Sequence, residues 1–122
     1  MLYGSVTVFS DACTFEQLSD CLGTPSSGHN RGALRRDGTA YTYSKWQIEL
    51  SSSGDGCIED RLEAKLAEIS EVYRELPDAE VRIDFWANLE SSYDWPGLSL
   101  SLQFFELALK CQAEVDIDIA VY

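Results

Sequence analysis

The stretch AEVDIDIAVY, residues 113–122, sets Val115, Ile117, Ile119 and Val121 at alternate positions, with Asp116 and Asp118 between them. Side chains alternate across a β-strand, so this spacing predicts a strand with one greasy side and one wet side. A sheet of such strands needs a layer to cover its greasy face, and amphipathic helices are the means.

Residues 79–90 repeat the pattern. Val81, Ile83, Phe85, Ala87 and Leu89 share one side; Arg82, Asp84, Trp86 and Asn88 share the other. Residues 40–50 do so again, with Trp46, Ile48 and Leu50 opposed to Tyr43, Lys45, Gln47 and Glu49. Residues 2–9 are rich in β-branched and aromatic side chains and read as a first strand.

Between the strands lies helical spacing. Ile58, Leu62, Leu66, Ile69, Val72, Tyr73 and Leu76 form one stripe, largely backed by acidic residues and closed by Pro77. Asp55 is the expected cap, and Glu59 and Asp60 suit the positive end of the helix dipole. Thr14 with Gln17 is a capping box, and that helix passes Leu18 and Leu22 to stop at Gly23 before Pro25. Ser101 caps a last helix from Leu102 to about Cys111, after a short strand expected over residues 98–100. Residues 24–39 carry no period and read as a long loop, and residues 91–97 as a turn. The expectation is one α+β domain over residues 1–122. It is a two-layer sandwich of a mostly antiparallel or mixed sheet of four to five strands, with about three helices on one face.

Of the 122 residues, 21 are acidic and 9 are lysine or arginine, a net charge of −12. Such a field repels nucleic acid and anionic membrane and steers basic partners inward, besides keeping a protein soluble. No run approaches the roughly 18 apolar residues of a spanning helix, and residues 1–12 lack a basic leader segment. Cys13, Cys21, Cys57 and Cys111 form no CxxC and no zinc-like spacing. Cys13 and Cys21 would stand about 12 Å apart on one helix, too far for a disulfide. Reduced thiols and a cytoplasmic location follow as expectations, with the chain a monomer or weak dimer.

Three short stretches, taken in order, carry a resemblance. They are Leu22-Gly23 at a helix end before a glycine-containing loop, Trp46-Gln47-Ile48-Glu49-Leu50-Ser51 leading into the long helix, and Ile117-Asp118-Ile119-Ala120-Val121-Tyr122. On these the chain resembles the bacterial DUF4279 family of uncharacterised proteins. The resemblance implies the fold and no activity, and no catalytic residue carries over from it.

Several groups are candidates for function. Asp116 and Asp118 share a face roughly 7 Å apart, and Asp84 joins them if its strand is the neighbour. Three carboxylates suit a divalent ion and two can divide acid and base roles, while acids on an outer face also keep it wet. Trp86, Tyr93, Asp94, Trp95 and Tyr122 add aromatics among acids, the composition of a protein-binding surface. Arg31, Arg35 and Arg36 in loop 28–38 can meet an anion, although no GK[ST] follows as a P-loop requires. His29 is the only histidine, and no nucleophile motif is present. The expectation is a non-enzymatic binding protein without cofactor. Its partner is a basic protein, a toxin such as a nuclease, occluded in immunity or antitoxin fashion by acids of the sheet face and long helix. The alternatives are a small-ligand or regulatory module using the arginine loop, and a divalent-metal-dependent enzyme.

Overall fold

The computed structural model of the chain describes residues 1–52, 57–91 and 97–121. Its strands are β1 (Leu2–Ser10), β2 (Ser27–His29), β3 (Ser44–Ser51), β4 (Ala79–Leu89) and β5 (Glu114–Val121). Its helices are α1 (Phe15–Leu22), α2 (Ile58–Val72, extended by a 3₁₀ turn over Tyr73–Glu75) and α3 (Leu102–Lys110). The strands form one mixed sheet in the order β2-β3-β1-β4-β5. All pairs are antiparallel except β4 with β5. The α+β sandwich expected from the alternation is the architecture found.

The side chains that β1, β3 and β4 turn toward the helices build the core. Val6, Val8, Trp46, Ile83 and Phe85 meet Leu18 of α1, Ile58, Leu62, Leu66 and Ile69 of α2, and Phe104 of α3. The stripe read in the sequence of α2 is therefore the stripe that is buried. Gly4 of β1 lets α2 approach closely: a Cβ there would stand 2.6 Å from Leu62 Cδ1.

The caps follow the sequence. Thr14 Oγ1 accepts from Gln17 N, and Gln17 Oε1 accepts from Thr14 N. Gly23 closes α1 at a φ of 93°, in the left-handed range that glycine adopts without penalty. The Trp46 indole N–H donates to the Gly23 carbonyl at 2.9 Å. Lys65 of α2 reaches the Leu22 carbonyl at 2.9 Å, supplying the cation that the last turn of α1 lacks. Ser101 Oγ accepts from Phe104 N and caps α3. Asp55, the expected cap of α2, lies outside the described residues; Cys57 occupies the N-cap position without a side-chain cap bond.

Four expectations need correction. The 24–39 segment contains β2, because Gly28 lets its backbone lie against β3 opposite Trp46, and a separate isolated bridge joins Leu34 to Ala40. The third strand starts at Ser44 rather than residue 40. Residues 98–100 are not a strand: β5 occupies the flank of β4, and Leu98 and Leu100 pack on the core instead. Finally, β5 is an edge strand, so its greasy side is only partly covered. Val115 and Ile119 pack against the core, but Ile117 stays 51% and Val121 54% exposed. The four cysteines are free thiols, with Cys111 buried and Cys21 and Cys57 exposed.

Candidate functional site

The helices cover one face of the sheet, and the alternation turns the remaining strand side chains to the other. Across that open face the register sets Tyr3 beside Trp86, Ser5 between Glu49 and Asp84, and Thr7 between Gln47 and Arg82. The next row sets Asp84 beside Asp116 and Trp86 beside Asp118. The sequence-based candidates Asp84, Trp86, Asp116 and Asp118 thus come together. Their adjacency depends on β4 and β5 being neighbours, which a parallel crossover through α3 achieves. Tyr93, Asp94, Trp95 and Tyr122 lie outside the described residues.

Two features organise the cluster. The Tyr3 and Trp86 rings stack with centroids 5.6 Å apart and planes within 12°. Arg82 reaches across the face: Nε donates to Asp84 Oδ1 at 3.3 Å and Nη2 to Asp116 Oδ2 at 2.7 Å. The Asp84 charge and the bond to Asp116 hold the guanidinium even more firmly protonated than usual. Gln47 Nε2 donates to Thr7 Oγ1, and Ser5 and Thr7 are buried beneath the longer neighbours. The result is a shallow hollow of about 550 Å³ floored by Ser5 and walled by Gln47, Arg82, Asp84, Trp86, Asp116 and Asp118.

A second hollow of about 390 Å³ lies at the other end of β1. Phe9 and Tyr43 line it, meeting edge to face at 5.3 Å, with Asp11, Asp78 and Glu80 beside them. The strands of the open face carry Glu49, Glu80, Asp84, Glu114, Asp116 and Asp118 against Lys45 and Arg82. That surface is anionic with aromatic islands.

Tyr3, Arg82 and Phe9 are the parts that sequence reading missed or left without a role. The signal for the two aromatics was present: Tyr3, Ser5, Thr7 and Phe9 alternate with Leu2, Gly4, Val6 and Val8. What pairs with them depends on strand order, which no local pattern encodes.

Arg82 already answers the Asp84 and Asp116 carboxylates, and no group of three or more His, Cys, Asp or Glu side chains among the described residues converges as a metal site. His29 lies on β2, at the far edge of the sheet from β5. Its ring stacks on Tyr41 at 3.5 Å, and burial lowers its pKa from the ordinary 6.5, with the charges of Lys45 and Arg35 adding.

The arginine loop is largely committed within the fold. Arg31 Nη1 donates to the Asp11 carbonyl at 2.6 Å, and the Arg35 guanidinium lies 4.8 Å over the Tyr41 ring. Arg36 is exposed. The acids of α2 lie on the opposite side of the sheet from the open face, and several are engaged there. Glu68 pairs with Lys65 at 2.8 Å, and Glu63 accepts from the Ser101 hydroxyl. One flat partner surface therefore cannot meet helix acids and sheet acids together.

No helix among the described residues is long and apolar enough to cross a membrane. No family model, no curated protein and no solved structure matches the chain.

Proposed function

We propose that the chain is a non-enzymatic binding protein that holds a basic protein through the open face of its sheet. Its biological form is an immunity or antitoxin-like inhibitor of a basic toxin such as a nuclease, acting in the cytoplasm by occlusion. The observation that carries this reading is the stacked Tyr3–Trp86 pair set beside Asp84, Asp116 and Asp118. Aromatic anchors bordered by a net negative charge are what a partner of opposite sign docks on. The charge raises the encounter rate and the buried rings slow release. In this reading the carboxylates mimic the phosphates that the toxin's cationic side chains attract. Membership of the DUF4279 family is proposed on the three stretches quoted above and bears on fold alone.

The test is calorimetric titration of the protein with purified basic nuclease toxin domains at low and high salt. Binding is expected to weaken steeply as salt rises. Trp86→Ala should cost about 2 kcal/mol, the scale of an interface hot spot, chiefly by faster dissociation. Asp116→Asn with Asp118→Asn should mainly slow association. Binding indifferent to salt and to all three changes would overturn the reading.

A further inference from the structure

We propose that the free edge of β5 is a docking site for an extended segment of the partner in which cationic and apolar residues alternate, added to the sheet as a sixth strand. This rests on the basic-partner reading above and names how that partner is held.

Three observations converge. First, β5 pairs only with β4, so one edge of an eight-residue strand is without a neighbour among the described residues. Its outward N–H and C=O groups form a template for another chain.

Second, an apolar ledge borders that edge on the helix side. Ile117 and Val121 are 51% and 54% exposed, and on α3 Leu102, Phe105 and Leu109 are 75%, 50% and 79% exposed. The three α3 residues fall on one arc of the helix, separate from the buried arc of Phe104, Leu107, Ala108 and Cys111. A parallel strand–helix–strand crossover is right-handed. In that hand, with the buried arc on the sheet, Phe105 turns toward the β5 edge with Leu109 and Leu102 above it. Gln103 and Lys110 turn toward α2. Apolar side chains thus continue from the buried arc round the β5 side of the helix, while Gln103, Glu106 and Lys110 keep its other side polar.

Third, the open-face side of the same edge is anionic. Glu114, Asp116 and Asp118 are all exposed, Arg82 answers only Asp116 of the three, and Asp118 has no ion pair among the described residues.

Charge selects the occupant. A second copy pairing antiparallel through β5 would set these acids opposite their own counterparts, and like charges directly across a ladder destabilise it. A strand with Lys or Arg at alternate positions sets cations against Glu114, Asp116 and Asp118. Its intervening apolar side chains then fall on Ile117, Val121, Phe105 and Leu109. Main-chain bonds hold the segment, and the two rows of side chains select it.

The probe is an eight-residue peptide alternating arginine and valine, titrated by fluorescence anisotropy. It is compared with the same peptide N-methylated at alternate residues, in both registers, and with an arginine–glycine peptide of equal charge. The expected result is binding of the first peptide. At least one N-methylated register and the arginine–glycine peptide should bind at least tenfold more weakly. Leu109→Ser and Ile117→Ser should each weaken the first peptide at least tenfold while leaving thermal unfolding unchanged, since both side chains are exposed. If both N-methylated forms bind as well as the parent, the edge is not used, and this inference falls while the open-face reading stands. If no cationic peptide binds, both fall. If the protein itself sediments as a dimer that Ile117→Ser dissolves, the occupant is a second copy and the proposal is overturned.

Discussion

Gly4→Ala puts the contact between the two layers to a direct test. The added Cβ would stand 2.6 Å from Leu62 Cδ1, about 1 Å inside the ordinary carbon–carbon contact of roughly 3.5–4.0 Å. Its other neighbours, Phe85 Cδ1 at 3.4 Å and Ile58 Cδ1 at 3.5 Å, need little or no adjustment. The whole cost therefore falls on Leu62, which is fully buried on α2. Overpacking of this kind costs about 1–3 kcal/mol. Leu62→Ala alone opens a cavity at a cost of about 2–5 kcal/mol. The double variant should be less destabilised than the sum of the two by about 1–2 kcal/mol, within the coupling expected for residues in contact. The methyl added at position 4 enters the space that the leucine branch leaves. Urea unfolding followed by tryptophan fluorescence reads all three variants. Additivity within about 0.5 kcal/mol, or a neutral Gly4→Ala, would show that α2 does not lie against β1 as described.

Trp46→Phe should lose about 1–3 kcal/mol, because the Gly23 carbonyl forfeits its indole donor; chemical denaturation measures it, and an unchanged midpoint contradicts the contact. His29 should titrate by NMR with a midpoint below 6.5, since burial against Tyr41 disfavours its cation. The sign follows: its contribution to stability is complete above pH 6.5 and is lost as pH falls through the lower folded value. The stability difference between wild type and His29→Gln should shrink over that window, and a midpoint at or above 6.5 would refute it. A chromogenic thiol reagent should modify exposed Cys21 and Cys57 quickly and Cys111 only on unfolding, because burial both shields that thiol and raises its pKa. Rapid labelling of Cys111 in native protein would argue against its burial at the C-terminal end of α3.

Periodicity made most of the fold legible. The α2 stripe, the β4 alternation and the Thr14–Gln17 cap are local patterns, and local patterns suffice when burial on one face dictates the residue types. Beyond that reach lay features that depend on what comes alongside. Residues 27–29 are a strand only because β3 offers an edge, and residues 98–100 are not one because β5 has taken the place beside β4. The same limit applies to the candidate site. Asp84, Trp86, Asp116 and Asp118 could be named from alternation. That Arg82 bridges two of them, and that Tyr3 stacks on Trp86, follows from register between strands far apart in the chain.

The position of β1 has a kinetic consequence. Val8 finds Trp46 on one side and Val81 on the other, so the middle of the sheet consists of pairings between distant parts of the chain. Each such pairing must close a long loop before any ladder bond repays the lost freedom, which places folding toward the slow, milliseconds-to-seconds end for domains of this size. The α1 and α2 segments can sample their helices alone, but neither has a floor to settle on until both flanks of β1 have arrived. Refolding should therefore be gated by sheet closure, and β5, joined only through β4, should zip on last.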